Sequence, residues 1–225
     1  MIKEKLKRGS IPYKLYLYFN ILIRYKILKK NKKSFSQFGE DLFINKFFEK
    51  QKKGKYVDLG AFHPMKFNNT YLLYKKGWTG TNVDLNPTSI DLFDIARKSD
   101  KNLCALLSDQ SNIYKNANLE HAWSAVNSII PHKDLKAKTV MKTEVFENLI
   151  NHQFDFLNLD LEGHDFKVLQ TINLKKFHPK LICIEILEDG KNKENIFNYM
   201  QLYDYEFLKN CGPSFFFGKK KNENL

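Results

Sequence analysis

From Ser34 onward the chain is punctuated by short apolar runs: Tyr56 to Leu59, Thr81 to Leu85, Leu103 to Leu107, Phe156 to Leu161 and Leu181 to Leu187. Polar residues, Gly or Pro bound each of them. Runs this short and this continuous predict strands covered on both faces, which lose the apolar and polar alternation of a half-exposed strand. Between them lie positions with helical spacing, such as Leu72, Leu73 and Lys76 after the first run and Phe166, Leu169 and Ile172 after the fourth. Strand alternating with helix predicts an α/β fold with a parallel, doubly wound sheet. Near the C-terminus, Tyr205 to Leu208 and Ser214 to Phe217 flank Gly212-Pro213, which predicts an antiparallel hairpin closing one edge. No internal repeat is visible.

Residues 1–33 follow a different pattern. Tyr13, Leu17 and Ile21, with Tyr16, Tyr18, Leu22 and Tyr25, can share one side of a helix whose other side is basic. Such a helix can lie on an anionic membrane surface or pack on the domain or on a partner, and the pattern alone leaves both open. We place a boundary near Lys33, giving a basic amphipathic extension (1–33) and a single domain (34–225), since 225 residues suffice for one substantial core and not two. The apolar stretch Ile11 to Ile23 is interrupted by Lys14 and Asn20, falls short of the ~20 residues needed to span a bilayer, and lacks a small-residue cleavage site. A cytoplasmic location is expected, with the inner membrane surface as the place where the extension would act.

Charge sharpens this division. The formal net charge of +12 invites a nucleic-acid partner. Its distribution argues against one: residues 1–33 hold eleven Lys or Arg against the single acid Glu4, which leaves only +2 for the rest of the chain. Cys104, Cys183 and Cys211 are odd in number and widely spaced, so they propose neither a disulfide framework nor a zinc site.

In an open parallel sheet, ligands bind outside the carboxyl ends of the strands. Each predicted strand delivers an acid there: Asp58, Asp84, Asp109, Asp160 with Glu162, and Glu185. An acidic crevice suits a ligand with positive charge and hydroxyls. S-adenosylmethionine, with a sulfonium, an ammonium and a ribose diol, is such a ligand. Asp84 lies 24 residues past Gly60, close to the spacing at which an acid on the second strand reaches a ribose. The first turn, Asp58 to Pro64, has one glycine where pyrophosphate binding would need several.

These segments resemble the FkbM-type methyltransferases. The matching stretches are SQFGED (Ser36 to Asp41), YVDLGAFHP (Tyr56 to Pro64), NNTYLLYKKGWTG (Asn68 to Gly80), VDLNP (Val83 to Pro87) and DFLNLDLEGHDFKVL (Asp155 to Leu169), followed by HPKLICIE (His178 to Glu185). Asn68 stands where the family often has Ser, and Val140 to Phe146 matches only loosely. The resemblance implies a seven-strand, Rossmann-like class I methyltransferase sheet, S-adenosylmethionine as methyl donor, and O-methylation of a sugar or glycan acceptor. It implies that Asp58, Gly60 and Ala61 form the cofactor turn, that Asp84 and Leu85 meet the ribose, and that Ser108 and Asp109 sit near the adenine. Gln37, Glu40, Asn69 and Thr70 are further implied cofactor or pocket residues, with a helix cap as the alternative role of the last two.

A sugar hydroxyl needs a base before it attacks a methyl group. The candidates are Asp160, Glu162, His164, His63 and Glu185. Asp160, Glu162 and Glu185 are also oxygen donors of the kind that hold Mg²⁺, so a base-only and a metal-assisted route are both open. Two other functions fit the sequence less well: a nucleic-acid methyltransferase, disfavoured because Asp160-Leu161-Glu162-Gly163 replaces the proline-rich aromatic motif that grips a flipped base, and a catalytically inactive cofactor-binding scaffold in a glycan assembly complex.

Overall fold

The structure, a computed structural model, describes residues 6–27, 31–119, 127–128, 137–187 and 191–220. Helix α1 (Ile11–Tyr18) runs into a π-helical segment (Phe19–Ile27), and α2 (Glu40–Phe47) precedes the sheet. Then β1 (Lys55–Leu59), α3 (Tyr71–Lys75), β2 (Thr79–Asp84), α4 (Pro87–Ala96) and β3 (Lys101–Cys104) alternate. Four strands follow, β4 (Leu106–Leu107), β5 (Tyr114–Leu119), β6 (Asn127–Ser128) and β7 (Ala137–Glu144). The chain returns through α5 (Phe146–Leu149), β8 (Phe156–Leu159), α6 (Asp165–Thr171), α7 (Leu174–Phe177) and β9 (Leu181–Glu185), and finishes with α8 (Lys191–Leu202), β10 (Tyr205–Cys211) and β11 (Ser214–Lys219).

Seven strands form one sheet in the order β10-β11-β9-β8-β1-β2-β3. The five from β9 to β3 are parallel, and β11 pairs antiparallel with both β9 and β10. The chain winds outward from β1 to β3 and then resumes on the other side of β1 at β8. The carboxyl ends of β1 and β8 therefore flank the topological switch point, where such sheets open a ligand crevice.

Neighbouring residues in the central strands serve opposite faces, as the pleat demands. Val57, Leu157, Ile182 and Phe217 join one core with Val168, Leu169 and Met200 of the helices; Tyr56, Phe156, Leu181 and Phe216 join another with Ile44, Leu73 and Trp78. Both faces are covered, which is why the strands read as unbroken apolar runs.

Two expectations need correction. The run Leu103 to Leu107 is not one strand: the bond from the Ala105 amide to the Asp84 carbonyl (3.0 Å) is the last of the β2–β3 ladder, and Leu106–Leu107 leaves to pair with β7 in a second sheet of order β4-β7-β5-β6. Asp109 leaves with it, so four of the five predicted strand ends keep their acids at the edge of the main sheet. Strands β5 and β7 of the second sheet had no counterpart among the predicted strands. Its sequences YKNANL and AKTVMKTE are polar, and Tyr114 and Val140 are exposed. No apolar run announced them.

A fully buried guanidinium, Arg97, ends α4 and binds the loop after β1. Its Nε and Nη2 donate to the Pro64 carbonyl (3.1 and 2.7 Å), Nη2 also to Asn68 Oδ1, and Nη1 to Thr70 Oγ1 (2.7 Å) and the Tyr56 hydroxyl (3.2 Å). Thr70 Oγ1 in turn donates to Asp58 (2.8 Å), which also accepts from Asn68 and Asn158 (3.3 and 2.8 Å). Burial pushes the Asp58 carboxyl up while Arg97 and these hydrogen bonds oppose it. Removing one member of a buried charge network strands the other and costs about 3 to 5 kcal/mol. We expect Arg97→Met to lower the free energy of unfolding by about that much, read from urea denaturation; a loss under about 1 kcal/mol would show that the network does not hold the fold.

Candidate active site

At the carboxyl edge of the sheet lies a cleft of about 830 Å³, open solvent included. It brings together Gln37, Gly60, Asp84, Leu85, Asp160, Glu162, His164 and Glu185 of the predicted site residues. Phe62, Phe67, Val83, Ala105, Leu106, Leu107 and Leu161 complete the lining. These apolar residues were not predicted as site residues. Val83, Leu106 and Leu107 belong to runs that read as core, and no local signal separates a residue buried under a helix from one buried under a ligand.

The first turn is built by close backbone approach. Gly60 has φ +78°, its amide donates to the Val83 carbonyl (2.9 Å), and a Cβ placed on it would stand 1.7 Å from the Asp160 carbonyl oxygen. No other residue fits there. The turn after β1 and the end of β8 are thus in direct contact. Next along the chain, Phe62 is held at φ +53°, a region sparsely used by bulky residues. What holds it is Asp84, whose Oδ2 accepts from the Phe62 amide (2.7 Å) and Oδ1 from the Asn86 amide (2.7 Å). Each carboxylate oxygen has further acceptor capacity for a ligand hydroxyl. Burial pushes the Asp84 carboxyl up to about 6 despite these hydrogen bonds.

Acids crowd the other strand ends. Burial raises Asp160 well above the usual carboxyl range, and the charges of Glu185, Asp165 and Glu162 add to it. Glu185 is also raised, first by burial and then by Asp165 and Glu162, while its hydrogen bond with Asp160 works the other way. Asp160 and Glu185 share a hydrogen bond, so their protons come off as a pair and not residue by residue. Glu185 Oε2 is buried and makes no hydrogen bond with any described residue. The loop after β8 carries Glu162 at φ +52° and Gly163 at φ +88°, a conformation that lets Asp165 at the start of α6 accept from the Leu161 and Gly163 amides (2.7 and 3.1 Å). His164 is buried on the cleft wall; burial lowers its pKa, helped by Lys115 and Lys167, so the ring is neutral at pH 7. Its Nε2 also makes no hydrogen bond with any described residue.

Other predicted site residues do not line the cleft. Asp58 and Thr70 are buried in the Arg97 network; Thr70 stands at the N-cap position of α3 but spends its hydroxyl on Asp58 rather than on the helix. Asn69 reaches Asn158 (3.0 Å), which reaches Asp58. Ala61 is buried with its amide on the Val83 carbonyl. His63 is buried, and its Nδ1 accepts from the Met65 and Lys66 amides (3.0 Å each), which fixes the loop rather than facing the reacting side. Glu40 accepts from the Phe38 amide (2.7 Å) and the Ser214 hydroxyl (3.3 Å). Ser108 donates to Asp109 (2.9 Å) and accepts from Lys115 (2.8 Å), so the wall expected from these two is formed by Ala105 to Leu107 instead. Among the described residues, no three His, Cys, Asp or Glu side chains are grouped so as to hold a metal ion.

The family model for the methyltransferase FkbM domain matches residues 36–207. Among solved structures, methyltransferase FkbM from Methylobacillus flagellatus KT superposes with a TM-score of 0.53 at 12% identity over 74% of this chain, which spans 44% of that one. The TehB-like SAM-dependent methyltransferase from Corynebacterium glutamicum ATCC 13032 Kitasato superposes with a TM-score of 0.51 at 14% identity, over 89% of this chain and 97% of that one. Comparison with curated proteins returned no match. At these identities the structural likeness speaks to the fold.

The raised Asp84 carboxyl has a measurable consequence. Its folded-state value of about 6 lies above that of an ordinary carboxyl, 3.8, so the native state holds the proton more tightly than the unfolded chain does. That contribution to stability is complete below the unfolded value and lost as pH rises through 6. We expect the stability of the wild-type chain, measured relative to Asp84→Asn by urea denaturation, to fall by about 2 kcal/mol between pH 4 and 7. A difference independent of pH would mean that Asp84 titrates normally.

Proposed function

The chain belongs to the FkbM methyltransferase family, and from that premise we propose that it is an S-adenosylmethionine-dependent methyltransferase that transfers the methyl group to a hydroxyl of a sugar or glycan. The observation that carries this reading is the hydrogen-bonded Asp160–Glu185 pair lining the cleft, one carboxylate oxygen of which, Glu185 Oε2, is buried and makes no hydrogen bond with any described residue.

The lining fits the cofactor. Val83, Leu85, Ala105, Leu106 and Leu107 are an apolar surface for an adenine, Asp84 supplies acceptors for a ribose diol, and the acids suit a sulfonium and an ammonium. When bound, S-adenosylmethionine supplies an electrophilic methyl group. The protein's part is to hold the acceptor hydroxyl in line and take its proton. Glu185 is suited to that: its raised pKa makes it a stronger base than an ordinary carboxylate. The same lining disfavours a nucleic-acid acceptor. The ionised members of the Asp160, Glu162 and Glu185 cluster repel phosphates, while a neutral polyol gives the cluster hydroxyls to bind.

One observation favours a second reading of the base: His164 is neutral, lines the cleft and keeps Nε2 without a hydrogen bond to the described residues. Transfer of labelled methyl from S-adenosylmethionine to glycan and to RNA in parallel tests the acceptor class; label in RNA and none in glycan would reverse it. With an acceptor in hand, Glu185→Gln should lower kcat by about 10²- to 10⁴-fold and His164→Gln by far less. The opposite ranking would assign the base to His164.

A further inference from the structure

The helix that precedes the domain is apolar on two sides, and only one of them is covered. Tyr13, Leu17 and Ile21 are buried against Met65, Leu92 and Ala96, beside α4 and the loop after β1. Polar contacts lock this seat: Arg8 makes a bidentate pair with Asp91 (2.7 and 2.8 Å), and the Tyr13 hydroxyl donates to the same carboxylate (2.6 Å). The sequence left open whether the side led by Tyr13, Leu17 and Ile21 meets a membrane or the domain, and these three meet the domain. Tyr18 and Leu22, read on that same side, face outward with others. Ile11, Leu15 and Tyr18, at i, i+4 and i+7 of α1, are 75%, 65% and 47% exposed, and Phe19, Leu22, Ile23 and Ile27 of the π-helical segment continue the exposure at 59%, 42%, 38% and 57%.

Scattered exposed apolar residues need no explanation, but seven within 17 residues of one docked helix do. The charge around them points to what covers them. Lys7, Lys14, Lys26, Lys32 and Lys33 are exposed along this segment, and residues 1–33 carry eleven cations against one acid. We infer that this stripe is a peripheral membrane-docking surface that seats the enzyme on an anionic lipid leaflet. Apolar side chains enter the headgroup boundary, and the lysines around them meet anionic headgroups. A second copy of the chain fits less well, because pairing the stripe with itself would bring two cationic segments together. No helix among the described residues is long and apolar enough to cross a bilayer, so the contact lies in the plane of the surface.

The full-length chain should co-sediment with phosphatidylcholine vesicles containing phosphatidylserine, and much less with vesicles of phosphatidylcholine alone. Leu15→Ser combined with Leu22→Ser should weaken that binding by about tenfold or more, with an unchanged melting temperature because both side chains are exposed. Lys14→Gln and Lys26→Gln should each weaken it about fivefold, and added salt should do the same. The inference is overturned if the wild-type chain stays in the supernatant with phosphatidylserine vesicles, or if the double Leu variant sediments like the wild type. It is equally overturned if light scattering without lipid shows an oligomer that the double variant dissolves, which would assign the stripe to a second copy.

Discussion

The geometry of the cleft rests on one buried cation. Arg97 is fully enclosed, and a guanidinium taken out of water persists only when its donors and charge are matched. Here the match comes from the segment between β1 and α3: the Pro64 carbonyl, the Asn68 amide oxygen and the Thr70 hydroxyl, with Asp58 behind them and Asp100 at 3.8 Å. Four aromatic rings, Tyr56, Tyr71, Tyr74 and Phe93, lie within 5.1 to 6.0 Å of the guanidinium carbon and exclude water from it. The loop that carries Gly60 and Phe62 into the cleft is pinned at its far end by this arrangement. Asn68 and Thr70 of the NNT segment meet both charges, accepting from the guanidinium through Oδ1 and Oγ1 and donating to Asp58.

A second electrostatic balance governs the reacting side. Asp160, Glu162, Asp165 and Glu185 gather near the ends of β8 and β9, and four ionised carboxyls in so little water would repel one another. The protein eases this by burial, which pushes Asp160 and Glu185 toward their protonated forms, and by backbone donors. Asp165 accepts two amides from a loop bent into the left-handed region. What is left over is acceptor capacity facing the cleft, a suitable surface for a cation and for hydroxyls.

The parts of this site that were legible from sequence were the local ones. Gly60, Asp84, Asp160 and Glu185 each stand at the end of an apolar run, and in a doubly wound sheet that position alone places them at the crevice. Asp58 stands at such an end too, yet it faces away from the cleft, because its partner is Arg97, a residue 39 positions later that reads in sequence as one more surface charge. Asp109 was misplaced for a different reason: whether a strand continues through Ala105 depends on a hydrogen bond to Asp84 that no periodicity records. The leading helix shows the limit of pattern most clearly. With apolar residues on two sides, its sequence could not say which side meets the domain.

The contact between Gly60 and the Asp160 carbonyl ties two tasks together. In the reading proposed above, Gly60 belongs to the cofactor turn and Asp160 to the reacting side, so a shift of one backbone is felt by the other. The wall formed by Ala105 to Leu107 is different, because Leu106–Leu107 pairs with β7 of a separate sheet. Under that reading a change of acceptor, by natural drift or by redesign, has an outlet in β5 and β7, where substitutions leave the pairing of β1 with β8 in register.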